Sequence, residues 1–172
     1  NMASQVANTV DGGDGTDTLS FNVETGESEI FDMDMTSFIN FEEFAKVGDG
    51  ELIIDDERSF TELSIDSGVL SVNDRLIAPV FVGVDGRLGG SGTIAGDVFV
   101  SGVLNAGNSP GTLTVDGDLT LDMGSVFEVE FNVDTADLVL VSGVATIEDG
   151  ATLLLTPEGD DVFGIFTHEV LN

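Results

Sequence analysis

The sequence predicts an all-β fold of the solenoid type, a parallel β-helix, from three observations. Apolar and polar residues alternate in runs of only three to six, as in "TLTV" over Thr112–Val115. Glycine punctuates those runs: 22 glycines against 3 prolines in 172 residues, spread along the chain rather than gathered into a linker. Finally, stretches of the chain resemble one another at a regular spacing. "VFVGVDGRLGGSGTI" from Val80 matches "VFVSGVLNAGNSPGTL" from Val98 at an offset of 18. Leu88 then matches Leu104 at an offset of 16, and Gly92-Thr93-Ile94 matches Gly111-Thr112-Leu113 at 19. A unit of roughly 16–25 residues with two or three short strands is one coil of a solenoid. Such a coil cannot cover its own apolar side chains, so coils stack about 4.8 Å apart and share columns of Leu, Val, Ile and Phe. Thr, Ser, Asp and Glu then face water. A β-sandwich is the rival architecture, but its strands run longer than these.

The first third is the least regular. In "GESEIFDMDMTSFINFEEFAKVGDGELIID", Asn40-x-x-Glu43 has the form of a capping box for a short helical turn. The competing reading has Phe38, Phe41 and Phe44 fill a wider end of the stack. Gly48-Asp49-Gly50 turns the chain into a strand ending at Ile54, and alternation marks the next at Leu63–Ile65, Val69–Val72 and Val80–Val84. Asp97–Val100, Thr112–Val115, Leu119–Leu121 and Val126–Phe131 follow, then Leu138–Val141, Val144–Ile147 and Ala151–Leu155. Asp85, Asp97, Asp116 and Asp118 are expected in the turns between strands, where Asp bonds the local backbone. The organisation expected is residues 1–79 as less regular coils with a truncated start, and residues 80–172 as regular ones.

Composition limits what such a stack can do. Thirty-three acidic residues face Lys46, Arg58, Arg75 and Arg87, for a net charge of −29, while 41% hydrophobic content is enough to build a core. The acid is expected on a solvated outer face, "DMD" (Asp32–Asp34) and "DDER" (Asp55–Arg58) included. Four cations cannot neutralise a run of phosphates, which argues against nucleic acid and disfavours an anionic membrane surface as partners, and divalent cations are the natural counterions. Without cysteine there is no disulfide framework or thiolate metal site. No apolar stretch nears the roughly 18 residues of a membrane helix. "NMASQVANTV" lacks the basic start and apolar run of a signal peptide, so a piece of a longer protein is expected.

From Val80 to Pro157 the order of several segments resembles the C-terminal end of the passenger domain of a type V autotransporter of Gram-negative bacteria. The segments are "GRLGGSGTIAGDVFVSG", "LNAGNSPGTLTVDGDLTL", "GSVFEVEF" and "DLVLVSGVATIEDGATLLLTPEG". The structural motif residues are Gly89, Gly90 and Gly92, then Gly107, Asn108, Ser109, Pro110 and Gly111; Ala106 stands where the family pattern has proline. More weakly, "NFEEFAKVGDGELIID" is similar to segments that open passenger repeats. The resemblance implies a right-handed, single-stranded parallel β-helix whose last coils act as a stable base, or autochaperone region. It further implies upstream passenger coils, a downstream outer-membrane β-barrel as partner, and a place at the cell surface.

Sites with chemistry are sparse. "GGDGTDTLS", Gly12–Ser20, satisfies one copy of the nonapeptide of calcium-binding β-rolls, with Asp14 and Asp17 as candidate metal ligands. The competing reading is a plain Gly-Asp turn entering a strand. Arg58, Arg75 and Arg87 are scattered rather than clustered for an acidic polysaccharide, and the lone His168 reads as a terminal surface residue. Ser109 and Thr112 have no partner base, and no phosphate loop opens a helix. With no Trp or Tyr, sugar stacking falls to Phe. No catalytic residue and no required cofactor are expected. The leading expectation is therefore a structural stem that supports export, folding and display of an upstream effector or adhesin. A calcium-dependent surface module contacting a host or matrix ligand is the second expectation, and a polysaccharide-active enzyme the third. Dimerisation through an exposed end of the stack is also expected.

Overall fold

A strand of three residues has one dry side and one wet side and cannot shelter the dry one alone. In the computed structural model, which describes residues 9–32, 35–107, 111–157 and Leu171, the chain meets this by winding. Strands stack in parallel on three faces, giving a parallel β-helix. The first face stacks β2 (Thr18–Asn22), β5 (Glu43–Val47), the start of β8 (Glu62–Val72), the start of β10 (Val80–Gly89), β12 (Val98–Val100), β15 (Leu119–Leu121) and β18 (Ala145–Ile147). The second stacks β3 (Ser28–Ile30), β6 (Glu51–Ile54), the ends of β8 and β10, β13 (Val103–Asn105), β16 (Val126–Phe131) and β19 (Thr152–Pro157). The third stacks β7 (Arg58–Ser59), β9 (Arg75–Ile77), β11 (Thr93–Ile94), β14 (Thr112–Val115) and β17 (Leu138–Val141). A separate parallel pair joins β1 (Val10–Asp11) to β4 (Phe38–Ile39).

Register follows the internal repeat closely. Val80 lies on Val98 and Leu88 lies on Leu104, the two pairs that the sequence offsets require. From the middle of the stack the coils lengthen toward the C-terminus. The sequence separation between bonded turns of adjacent layers is 18 for Asn73 and Ser91, 21 for Asp97 and Asp118, and 26 for Asp118 and Val144. The third face departs from expectation. Thr93 pairs with Thr114 and Ile94 with Val115, not with Thr112 and Leu113. A shift of two residues keeps every inward side chain inward, so alternation alone does not detect it.

Three further expectations are corrected. Leu63–Ile65 and Val69–Val72 are two halves of β8, and Val80–Val84 is the first half of β10, because both strands turn the corner between faces unbroken. Asp85 consequently lies inside β10, where its pairing with β8 shifts register between Val82 and Asp85, and not in a turn. The capping box is absent. Asn40 adopts φ 55°, a left-handed conformation Asn tolerates, with its Nδ2 donating to Asp11 Oδ1 at 2.6 Å, and Glu43 begins β5. The only helical turn described nearby is the 3-10 turn Met35–Ser37.

The core consists of columns. On the first face Phe44, Leu63, Val80, Val98 and Leu119 follow one another in register, all buried. On the second, Leu52, Leu70, Leu88, Leu104 and Phe127 do the same. Burying each such side chain contributes about 1.5–3 kcal/mol. The N-terminal layers are filled by rings instead. Phe44 stacks on Phe60 at 4.6 Å and meets Phe31 edge-on at 5.2 Å, and Phe21 packs on Phe31 at 5.6 Å. Of the three phenylalanines expected to fill this end, only Phe44 is buried; Phe38 and Phe41 pair with each other at 6.3 Å, half-exposed, because neither lies on an inward strand position.

Leu104→Ala, in mid-column, is expected to destabilise the fold by about 2–5 kcal/mol, with the outward Thr146→Ala within about 0.5 kcal/mol of the parent in urea unfolding.

Candidate functional site

Stacking brings the two glycine segments of the sequence to one corner, between the second and third faces. Gly107 N donates to Gly90 O at 2.8 Å, and the two residues form a bridge. Gly90 sits at φ +107°, and a Cβ there would collide with the main chain of Val72 in the layer below. Only glycine meets both conditions without strain. Gly92 N donates to Val72 O at 2.8 Å, Gly92 O accepts from Thr114 N at 3.0 Å, and Gly89 packs near Asn105 O. Ala106 is fully buried at this corner. Asn108, Ser109 and Pro110 lie outside the described residues.

The next layer closes the corner with a residue the sequence reading passed over. Asp137 is fully buried; its Oδ1 accepts from Gly111 N and its Oδ2 from Glu130 N, each at 2.8 Å. Its own N–H donates to Glu130 O at 2.8 Å. Asp137 shares the parity of Val139 and Val141, so strand alternation placed it on the inward side. That parity is the signal by which it could have been found. Backbone donors satisfy the carboxylate, which joins the loop ending at Gly111 to the strand that follows.

Lys46 is the second such residue. It follows the inward Phe44 by two, is 0% exposed, and donates from Nζ to Gly48 O, Gly50 O and Ser67 O at 2.5, 2.6 and 2.9 Å. Burial pushes its ammonium below the ordinary value of 10.5, against the opposing pull of the Asp49 carboxylate.

The acidic surface is bonded as well as solvated. Asp97 Oδ1 accepts from Asp118 N at 2.9 Å and Asp118 Oδ1 from Val144 N at 2.7 Å, a ladder running up one corner. Asp116 accepts from Ser142 Oγ at 3.0 Å, and Asp122 from Ser101 Oγ at 2.7 Å. The arginines work between layers too. Arg58 bonds Asp56 and lies 5.1 Å over the Phe31 ring, and Arg87 bridges to Glu128 at 2.6 Å. The exposed Arg75 lies 3.9 Å from Glu57, a contact worth little in water.

Of the candidate calcium ligands, Asp14 is exposed between Gly13 and Gly15, while Asp17 is half-buried. Asp17 N donates to Glu42 Oε2 at 3.0 Å, and the buried Asp17 Oδ2 has no hydrogen-bond partner. Among the described residues no group of three or more His, Asp or Glu side chains is placed to hold a metal ion. Within Asp55–Arg58, Asp56 pairs with Arg58 at 2.7 Å. Asp34 and His168 lie outside the described residues.

At the last layer, Leu121, Phe127, Ile147, Leu153 and Leu171 line an open apolar cavity of about 170 Å³. Ile147, Leu153 and Leu155 occupy inward register positions yet are 58%, 54% and 54% exposed. No protein-family model matches the chain, and no curated protein is significantly similar to it.

Asp137→Ala removes the acceptor of two half-buried N–H donors and is expected to cost about 1–3 kcal/mol, whereas the exposed Asp134→Ala stays within about 0.5 kcal/mol in denaturant titrations. Lys46 carries a pH signature. Its folded-state pKa lies below that of the unfolded chain, so the unfolded chain holds the extra proton between the two values, and stability rises with pH through that window toward 10.5. Urea midpoints of the parent should therefore climb relative to those of Lys46→Met over this range. Parallel curves for the two proteins would refute the assignment.

Proposed function

We propose that this chain is a structural stem: a passenger segment of a type V autotransporter that supports folding, outer-membrane translocation and surface display of an upstream effector or adhesin. The observation that carries the reading is the continuity of the inward apolar columns through successive layers of one winding chain. A stack of this kind folds by nearest-neighbour contacts and can propagate from a stable end. If the C-terminal layers emerge first from an outer-membrane pore, each completed layer templates the next and opposes back-sliding. The exposed Ile147, Leu153 and Leu155 suit a stem, since they are the surface on which a further layer would rest. The order of the glycine segments supports the autotransporter reading, and the geometry at Gly90 and Gly107 gives it a physical reason. An external face rich in carboxylates suits exposure outside the cell beside divalent counterions.

A second reading, a calcium-dependent surface module, draws on the buried and unpartnered Asp17 Oδ2 beside Glu42. Its ligand oxygens would come from Asp17 and from a neighbouring glycine-rich turn, with Asp14 at the rim.

Two experiments separate these readings. Removing Val98–Pro157 from the full-length protein should abolish surface display; unchanged display would defeat the stem proposal. Melting curves in millimolar calcium and in chelator test the other. Ion binding to the folded state alone at 100 times its Kd adds about 2.7 kcal/mol, and Asp17→Ala would remove that gain. A melting point indifferent to calcium eliminates the module.

A further inference from the structure

The apolar columns that hold the layers together do not by themselves decide which residue lies on which. Sliding one layer along its neighbour by two residues keeps every inward side chain inward and exchanges one aliphatic contact for another. On the first face the inward column through Phe21, Ile65, Val82, Val100 and Leu121 is apolar at every described layer except one, where it carries Lys46.

We infer that Lys46 sets the register between β5–β6 and β8, by placing an ammonium where it is satisfied in only one alignment of the two layers. Two of its three acceptors, Gly48 O and Gly50 O, belong to its own layer, and the third, Ser67 O, comes from the bend of β8 in the next. The three carbonyls converge on Nζ only when that bend sits over the Gly48–Gly50 turn. Room for the ammonium depends on Gly68, at φ +71°, where a Cβ would collide with Nζ. With the layers slipped by two residues, Ser67 O leaves the cluster and a charged group stays buried without its third partner. Burial of an ammonium is penalised most where its partners are lost, so the device works against wrong alignments rather than by adding strength to the right one. The lowered pKa agrees with this, because the folded state bears a net desolvation cost at Lys46.

Its position in the stack fits the role. Below it, Ser28 pairs with Glu51 at a sequence separation of 23, in layers filled by phenylalanine. Above it, Glu51 pairs with Val69, a shorter step along the chain, and the core becomes aliphatic. Two coil lengths meet here, and apolar alternation leaves the join ambiguous.

Since the chain has no cysteine, introduced pairs report register cleanly. Glu43 and Glu62 are register partners, both half-exposed on the outside of the first face. The Glu43→Cys, Glu62→Cys pair reads the native alignment, and the Glu43→Cys, Ser64→Cys pair reads the alignment slipped by two. With Lys46 present, the native pair should form its disulfide at least about tenfold faster than the slipped pair. In Lys46→Met the protein should still fold and melt cooperatively, while that ratio falls at least about fivefold. A ratio unchanged in Lys46→Met would show that register is set elsewhere. Failure of Lys46→Met to fold would also overturn the inference, since Lys46 would then be a bond the fold needs for stability.

Discussion

Most backbone donors and acceptors of a three- or four-residue strand must find partners in another strand, and here those partners lie in the layer above or below. Parallel pairing between successive coils is the constraint from which the other features follow. It fixes the inward columns, because pairing in register aligns residues of the same parity. It brings main chains of adjacent layers close enough at the corners that Gly90 admits no side chain. It also makes an acid useful on the outside. A carboxylate in one turn can accept from the N–H of the same turn one layer on, as Asp97 does from Asp118 and Asp118 from Val144. A chain of net charge −29 suffers self-repulsion in its compact state, and this ladder offsets part of that through hydrogen bonds to charged acceptors.

Much of this was legible in the sequence, for a physical reason. Alternation with period 2 identifies a strand and its buried side, and so Thr112–Val115, Leu119–Leu121, Val126–Phe131 and Leu138–Val141 were delimited as they are observed. The stacking of Val80 on Val98 was readable because both coils begin with the same three residues, Val-Phe-Val. Where coils differ in length the same reasoning slipped by two, placing Thr93 over Thr112 instead of Thr114. Parity cannot separate these alternatives, and turn chemistry decides between them. The two-residue strands β1, β4, β7 and β11 were invisible because two residues carry no period. Asp137 and Lys46 were overlooked for the opposite reason. Their parity was plain, but a charge on an inward position reads as an interruption of the pattern until carbonyls and amide groups are seen to converge on it.

The two buried charges also divide the work of the stack. Aliphatic columns contribute stability in proportion to the area they bury, and they do so almost equally well in several alignments. Polar groups contribute less net stability and are far more particular about geometry. Asp137 is satisfied by two amides and secures a long turn near the C-terminal layers, where the coils are longest and loops are hardest to place. Lys46 lies at the opposite end of the regular region, where the coils shorten. Both devices stand where the repeat changes length, and the uniform layers between them, from β8 to β13, have no inward charge among the described residues. That distribution is the one expected if alternation suffices wherever neighbouring coils match, and a buried charge is needed only where they do not.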